Sequence, residues 1–264
     1  MSSTEKFGKP KKVIRPKIFL TLLSWVCIVL GIFFAFGMMK EYFRSISLGR
    51  IKPDGLFIIP LITIIMLFLF VGAGLMVMKQ AKKIYLYEDG FVVGKETEKN
   101  EYKNLHYFFI PGTMPNTFMA IFYEAFDGSY RNIPGTLYPT NAFQLLQQDI
   151  VKLTFPTAME NVEQGGSEEF SFIAPKKNVF ALGKKKVEEK MKKEMEKADK
   201  IKITKDYFAI EDEIYNWNEH KISGKFGNIV VDGLDGRKIV RLPKLRVDRP
   251  NLLEALIGNL GEKK

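Results

Sequence analysis

The sequence predicts a mixed α+β protein, in which a transmembrane hairpin of two helices precedes two β-rich units that are each closed by a C-terminal helix. Three observations support this fold class. Two apolar stretches without a charged residue lie at 18–39 and 56–78 and are separated by a short polar loop. After Lys83 the pattern changes to alternating, β-type segments. The order of these segments recurs in the C-terminal half, which indicates an internal duplication.

Each apolar stretch is long enough to cross the hydrocarbon layer as a helix, which takes about 20 residues. A secretory signal peptide is the alternative for the first stretch, because a basic leader precedes it. However, a signal peptide has an apolar region of roughly 7 to 15 residues and ends in small residues, whereas this stretch is longer and ends in Met38-Met39-Lys40. A pair of buried core helices is the other alternative, and two such lengths rarely occur together in a soluble domain.

The net charge of +10 is carried by the segments that flank the apolar stretches, namely 1–17, 40–55 and 79–83, so residues 84–264 have no net charge. This placement favours contact with anionic lipid headgroups over nucleic acid, because a nucleic-acid-binding domain carries its excess cations on the domain itself. The predicted headgroup contacts precede the first helix or follow the second: Lys12, Arg15, Lys17, Lys79, Lys82 and Lys83.

The charge distribution also predicts the topology. The flanks together hold more Lys and Arg than the loop, so both termini are expected in the cytoplasm of a multi-pass cell-membrane protein. The apolar stretches contain no Asp, Glu, Lys, Arg or His, which argues against ion or proton conduction by the hairpin alone. Cys27, the single cysteine, lies in the first stretch and excludes an intramolecular disulfide and a cysteine zinc site.

Residues 80–156 are predicted to form the first β-rich unit. Ile84 to Tyr87 alternates, Glu88-Asp89-Gly90 has turn chemistry, and the segment 91–94 resumes an extended run. Asn141 is expected to cap a helix that ends at Pro156. Further strands are expected at 105–110, 117–126 and 129–133, with Asp127-Gly128 as the turn between the last two.

The second unit is predicted from a repeat of this order. Lys83 to Val93 (KIYLYEDGFVV) aligns without a gap on Lys200 to Ile210 (KIKITKDYFAI). Chance similarity is the alternative, since only this block aligns without gaps. The other counterparts are Tyr102 and Trp217, Asp127-Gly128 and Asp235-Gly236, and Asn141 and Asn251.

These assignments divide the chain into five parts. Residues 1–17 are expected to form a flexible basic tail. Residues 157–199 are expected to contain a polar linker and a charged, solvated helix, and Phe170 to Leu182 could contribute a strand or two. The predicted boundaries are 1–17, 18–79, 80–156, 157–199 and 200–264.

The sequence contains no recognisable catalytic or metal-binding motif. His106 and His220, the two histidines, lack the spacing of such motifs and are expected to be sheet residues. Gly90 to Lys95 (GFVVGK) differs from a phosphate-binding loop in its spacing and is followed by Glu96. The carboxylates at 168–169 and 211–213 are expected in turns. We therefore expect no cofactor, no metal and no enzymatic activity.

The β-rich units, at roughly 83–153 and 200–260, resemble the pleckstrin-homology-like (PH-like) domains of bacterial membrane proteins. The resemblance is one of architecture and is carried by Lys83 to Val93, Asp127-Gly128, the helix after Asn141 and their second-copy counterparts. Both units are shorter than a full sheet of that family. The resemblance implies a binding or scaffold module at the inner face of a bacterial membrane, and it does not imply phosphoinositide binding.

Three functions from different classes follow. The first is a membrane-anchored, non-enzymatic adaptor or regulator whose β-rich units bind a protein partner. The second is an accessory subunit of a transporter or secretion system, or a toxin-immunity membrane protein. The third is an enzyme, which would need convergent carboxylates or histidines in a cleft. The expected partners are the lipid bilayer and a protein of unknown identity, with no nucleic acid, and homo-oligomerisation is left open.

Overall fold

The computed structural model has a mixed α+β fold, with two long apolar helices near the N-terminus followed by several antiparallel sheets and a C-terminal helix. The structure describes residues 7–50, 55–111, 118–139, 141–173, 193–225 and 227–262. The chain forms two compact units. One is the hairpin, Ile14–Lys83 with Leu137–Pro139. The other contains the sheets and the remaining two long helices, and we call it the β body.

The hairpin consists of α1, Ile18–Ser47, and α2, Gly55–Gln80. Both helices are long and apolar enough to cross a membrane. The sequence predicted that the first helix would end near Met39, but α1 continues to Ser47, because residues 40–47 contain neither proline nor glycine. The 30 residues of α1 span roughly 45 Å, more than the roughly 30 Å hydrocarbon layer, so its last turns extend past the apolar stretch.

Glycines allow the two hairpin helices to pack closely. A Cβ atom at Gly74 of α2 would lie 2.7 Å from Cγ1 of Ile28 and 2.8 Å from the carbonyl oxygen of Ser24. A Cβ atom at Gly31 of α1 would likewise lie 2.7 Å from a side-chain carbon of α2. At Gly72 an added Cβ would meet open space. The contact between the helices therefore requires glycine at 74 and 31 and tolerates a side chain at 72.

The first testable prediction compares two neighbouring glycines of α2. Gly74→Ala should destabilise the protein by about 1–3 kcal/mol, because the added methyl group overpacks the contact with α1. Gly72→Ala is the matched control and should be neutral or stabilising by up to about 1 kcal/mol, because alanine is the better helix former. Unfolding of the full chain in detergent would measure both, and equal stabilities would contradict the packing described.

Within the described residues, the first half of the β body has seven strands and one long helix. Its strands form a four-stranded sheet in the order β1-β2-β3-β4 and a three-stranded sheet in the order β5-β6-β7. The elements are β1 (Lys12–Ile14), β2 (Ile84–Leu86), β3 (Gly90–Val93), β4 (Asn100–Glu101), β5 (Tyr107–Pro111), β6 (Phe118–Glu124), β7 (Tyr130–Pro134) and α3 (Gln144–Glu163).

Strand β1 lies before the hairpin in the chain but pairs with β2, which follows the hairpin. The backbone N–H of Lys11 donates to the carbonyl oxygen of Leu86 at 2.8 Å. The ammonium group of Lys11 also forms an ion pair with the buried carboxylate of Asp149 at 2.8 Å. The prediction of a flexible basic tail is therefore wrong for Lys12–Ile14, since backbone pairing and an ion pair hold this segment in the sheet.

The second half has the same composition of strands. Its sheets have the orders β11-β10-β9-β8 and β12-β13-β14. The sequence suggested that Phe170 to Leu182 could contribute a strand or two. The structure has one strand that includes residues 170–172, whereas 174–182 lie outside the described residues. The charged segment 184–192 also lies outside them. The elements are β8 (Glu168–Phe172), β9 (Asp199–Ile203), β10 (Tyr207–Ile210), β11 (Glu213–Asn216), β12 (His220–Lys225), β13 (Asn228–Gly233), β14 (Lys238–Pro243) and α4 (Pro250–Glu262).

The two halves share strand register as well as strand order. Ile84 pairs with Val93 in the β2–β3 hairpin, and the aligned residues Ile201 and Ile210 pair in the β9–β10 hairpin. The two other cross-strand pairs of β2 and β3 also have aligned equivalents. The gapless alignment of 83–93 with 200–210 therefore corresponds to one geometry formed twice.

The segments that follow these hairpins also correspond. The backbone N–H of Tyr102 donates to the carbonyl oxygen of Asp89 at 2.9 Å, and that of Trp217 donates to the aligned Asp206 at 3.2 Å. The β6–β7 and β13–β14 turns each contain a glycine with positive φ, Gly128 and Gly236, one residue after an aspartate. Both predicted counterparts therefore occupy equivalent places in the two halves.

Helix α3 connects the two halves and does not end at Pro156, where the sequence predicted its end. The proline removes one helical hydrogen bond, but the turns that follow it contribute Ala158, Met159 and Val162 to the core of the second half. Burial of these side chains favours continuation of the helix to Glu163. The first seven residues of the expected polar linker are therefore helical.

Asn141 does not cap its helix. Helix α3 begins at Gln144, three residues after Asn141, without a side-chain hydrogen bond at its N-cap. Helix α4 begins at Pro250, because proline is favoured in the first turn of a helix, and Asn251 lies inside it. The predicted cap at Asn141 is therefore wrong, although each helix closes its half at the expected place in the order of elements.

Candidate functional site

The six basic residues that the sequence assigned to headgroup contact are exposed, and none forms an ion pair with another described residue. Their charges are therefore not neutralised within the described part of the chain. Contact with lipid headgroups remains a prediction for them. They are Lys12, Arg15, Lys17, Lys79, Lys82 and Lys83.

Both ends of the hairpin contact the same short segment, Leu137–Pro139. The backbone N–H of Lys17 donates to the carbonyl oxygen of Leu137 at 2.8 Å, and the hydroxyl group of Tyr138 donates to the carbonyl oxygen of Lys82 at 2.6 Å. Burial raises the pKa of Tyr138 to about 12, so its hydroxyl remains a donor at neutral pH. Two of the six predicted residues, Lys17 and Lys82, are thereby tied to one segment.

The two halves of the β body meet at the carboxylate of Asp248, which is 2% exposed. It accepts a hydrogen bond from the backbone N–H of Tyr107 at 3.0 Å and one from Nε of Arg249 at 3.1 Å. Nδ1 of His106 lies 2.8 Å from Oδ2 of the same carboxylate. The backbone N–H of Asp248 donates to the carbonyl oxygen of Ser171 in β8. One buried residue thus joins strands from both halves, through its side chain to β5 and through its backbone N–H to β8.

Arg249 extends this junction. Its backbone N–H donates to the carbonyl oxygen of Tyr107 at 2.9 Å. Its φ is +48°, a backbone conformation that residues other than glycine rarely adopt. Its guanidinium group lies 4.7 Å from the ring centroid of Phe170 and 3.9 Å from the carboxylate of Glu168. The strained backbone of Arg249 is held in place because both its backbone N–H and its guanidinium group have bonding partners.

The second prediction tests the junction. Asp248→Ala should destabilise the full chain by about 3–5 kcal/mol, because it leaves the Tyr107 N–H and the Arg249 guanidinium without their buried acceptor. Asp212→Ala removes an exposed carboxylate of the same half and should change stability by less than about 0.5 kcal/mol. Denaturant unfolding of both variants would measure the difference, and similar stabilities would rule out a structural role for the Asp248 carboxylate.

His106 is a titratable side chain whose pKa depends on its contact with Asp248. The hydrogen bond to Asp248 raises the pKa of His106 above its ordinary value, whereas burial opposes the rise. The charge of Glu124 also raises this pKa, and that of Arg249 lowers it. Because a carboxylate only accepts, Nδ1 carries the proton that is shared with Asp248. The sequence predicted a sheet residue here, and the structure places His106 immediately before β5.

The third prediction follows from the sign of this shift. A raised pKa in the folded state adds stability below the unfolded pKa of about 6.5, and this contribution is lost as pH rises through the folded pKa. Because the side chain of His106 is 47% exposed, the contribution should be on the order of 0.5 kcal/mol after screening. His106→Gln should abolish it in pH-dependent unfolding, while His220→Gln should retain it; an unchanged profile in His106→Gln would refute the assignment.

The segment that resembles a phosphate-binding loop is filled by a carboxylate of the chain itself. Residues 90–93 form β3, and Glu96 accepts a hydrogen bond from the backbone N–H of Val93 at 3.0 Å and one from Asn100 at 2.8 Å. Arg131 donates to the other carboxylate oxygen of Glu96. The Val93 N–H, Asn100 and Arg131 therefore bond a carboxylate of the chain itself.

The described residues contain no group of three or more His, Cys, Asp or Glu side chains that could hold a metal ion. A polar cavity of about 570 Å³ in the first half is lined in part by Glu98, Glu101, Glu124 and His106. These side chains are dispersed around an open cleft, so their chemistry suits hydrogen bonding to a polar or cationic group better than metal chelation.

Two parts of this arrangement were not predicted from the sequence. Asp248 and Arg249 precede a helix, where an acidic residue usually serves as a cap, and nothing local indicates that they bond a strand some 140 residues away. Glu96 gave a partial signal, because it occupies the place where a phosphate-binding loop would have Ser or Thr.

Comparison with known proteins identifies no relative: no protein-family model, no curated protein and no solved structure matches this chain.

Proposed function

We propose that the protein is a non-enzymatic adaptor or regulator, anchored in a bacterial cell membrane, that presents two PH-like binding modules to a protein partner at the cytoplasmic face. Each half of the β body consists of two antiparallel sheets and a C-terminal helix, which is the arrangement behind the PH-like resemblance. In the sequence both units looked too short for a full PH-like sheet. Lys12–Ile14 and Glu168–Phe172 each supply one additional strand.

The observation that carries this proposal is the insertion of the hairpin between two paired strands. The pairing of β1 and β2 as neighbours in one sheet supports a topology in which the segments before and after the hairpin lie on the same side of the bilayer. The basic residues that flank the hairpin favour the cytoplasmic side. The β body is thus attached to the membrane through two chain connections, which suits the presentation of a binding surface.

The alternative of a transport or secretion accessory, or of a toxin-immunity protein working through the hairpin, gains less support. The two buried hydroxyl groups of the hairpin, on Ser24 and Thr63, donate to the carbonyl oxygens of Leu20 and Ile59 in their own helices. Hydroxyls bonded in this way leave little polarity to line an ion path. The β body offers the more varied surface for recognition.

The fourth prediction separates these alternatives by site-specific photo-crosslinking in intact cells. A crosslinker at Ile214, which is 58% exposed on β11, should yield a discrete protein adduct that mass spectrometry identifies. The matched site is Phe68 of α2, which is 74% exposed and should yield no discrete protein adduct. Discrete adducts from Phe68 and none from Ile214 would favour the hairpin-based function and contradict the adaptor.

A further inference from the structure

The three-stranded sheets of the two halves differ in what covers their outer faces. In the first half, Phe108 and Phe122 pair across β5 and β6, and Tyr130 stacks on Phe122 at 5.3 Å. Ile173 and Met195, which lie between α3 and β9 in the chain, pack on this face. The outer face of this sheet is therefore aromatic, and polypeptide of the same chain covers it.

The second half has different residues at the same positions. Ile222 and Val231 point into the core, so their neighbours along each strand occupy the opposite face. Cross-strand pairing then places Ser223 and Val230 where the first half has Phe108 and Phe122. Four exposed basic side chains share this outer face: Lys221, Lys225, Lys238 and Arg241.

The positive charge of this face is largely uncompensated. Asp232 is the one carboxylate that β12, β13 and β14 place on it, and its side chain is 16% exposed and lies 3.9 Å from Lys225. Within the described residues, Lys221, Lys238 and Arg241 form no ion pair. A local excess of three positive charges thus occurs in a segment, 84–264, whose net charge is zero.

Two exposed apolar side chains lie in the same β13–β14 hairpin. Leu234 in its turn is 75% exposed and Ile239 in β14 is 49% exposed. Ile239 follows Lys238 at a β-bulge, where Asp232 pairs with Lys238 and Val231 with Val240. Exposed apolar side chains beside cations are typical of surfaces that lie at the boundary between lipid headgroups and acyl chains.

We propose that the outer face of β12-β13-β14, with the Leu234 turn, binds the anionic surface of a lipid bilayer. The four cations would contact anionic headgroups, and Leu234 and Ile239 would enter the interfacial layer. This contact is separate from the predicted contacts of the hairpin flanks. The inference depends on the membrane anchor of the proposed function but not on the protein partner, so failure of one leaves the other testable.

A bilayer fits this face better than an acidic polypeptide does. The four cations are exposed and lie on three adjacent strands of the sheet, which suits a broad charged surface. Only residues 15–17 and 81–83 separate the hairpin helices from β1 and β2. Two connections of three residues each therefore tether the β body to the proposed membrane anchor. The anchor thereby keeps anionic headgroups at a high effective concentration.

The fifth prediction uses the full chain in lipid nanodiscs, with Cys27→Ala and a fluorescent label at Leu234→Cys. Quenching of the label by neutral acrylamide should fall by about threefold when equal parts of phosphatidylglycerol and phosphatidylcholine replace pure phosphatidylcholine. High salt should reverse the protection, because it screens the headgroup charge. Combined Lys221→Glu, Lys225→Glu, Lys238→Glu and Arg241→Glu should abolish it.

The matched control reverses four exposed lysines elsewhere on the β body, Lys95, Lys103, Lys152 and Lys205, and should retain the protection. A label at Ile214→Cys should remain accessible in both lipids, and circular dichroism would verify folding of each variant. Equal quenching in the two lipids, or protection that survives the first set of reversals, would overturn the proposal. So would protection that appears in pure phosphatidylcholine only after polyglutamate is added, since the face would then bind an acidic polypeptide.

Discussion

The backbone pairing of β1 with β2 is the constraint on which the rest of the structure depends. It makes the hairpin an insertion within a sheet, because Lys12–Ile14 comes before both membrane-competent helices and Ile84–Leu86 comes after them. It also converts a basic N-terminal segment into an edge strand of the first half. The Lys11–Asp149 ion pair extends this attachment to α3. The hairpin is therefore connected twice to one folded body.

The two halves of that body are joined by packing and by polar contacts. Helix α3 contributes side chains to the core of the second half, and Asp248 links β5 and β8 from a buried position. Removal of the backbone and guanidinium donors from water is tolerated because the carboxylate bonds each of them. The repeated units thus form one compact body, although the sequence pattern divides them.

Local patterns predicted much of this fold. Hydropathy located the hairpin, and the alignment of 83–93 with 200–210 corresponds to equivalent registers because alternation and turn chemistry are short-range properties. The failures involved distant partners. Pro156 stays within α3 because residues beyond it are buried in the other half, and β1 pairs across the whole hairpin. The basic sheet face is not evident from the sequence, because the net charge of 84–264 does not show how the charges are distributed over the folded surface.

The position of the hairpin between β1 and β2 also constrains the order of biosynthesis. The first strand is synthesised before either hydrophobic helix, yet its neighbour in the sheet is added only after roughly 70 further residues. Lys12–Ile14 therefore stays unpaired while both helices are synthesised. Packing of α1 against α2 brings the separated segments together and reduces the entropy lost when the loop closes. Formation of the hairpin is thus an early step in folding of the sheet, so a chain whose hairpin helices fail to pack should also fail to complete its first β unit.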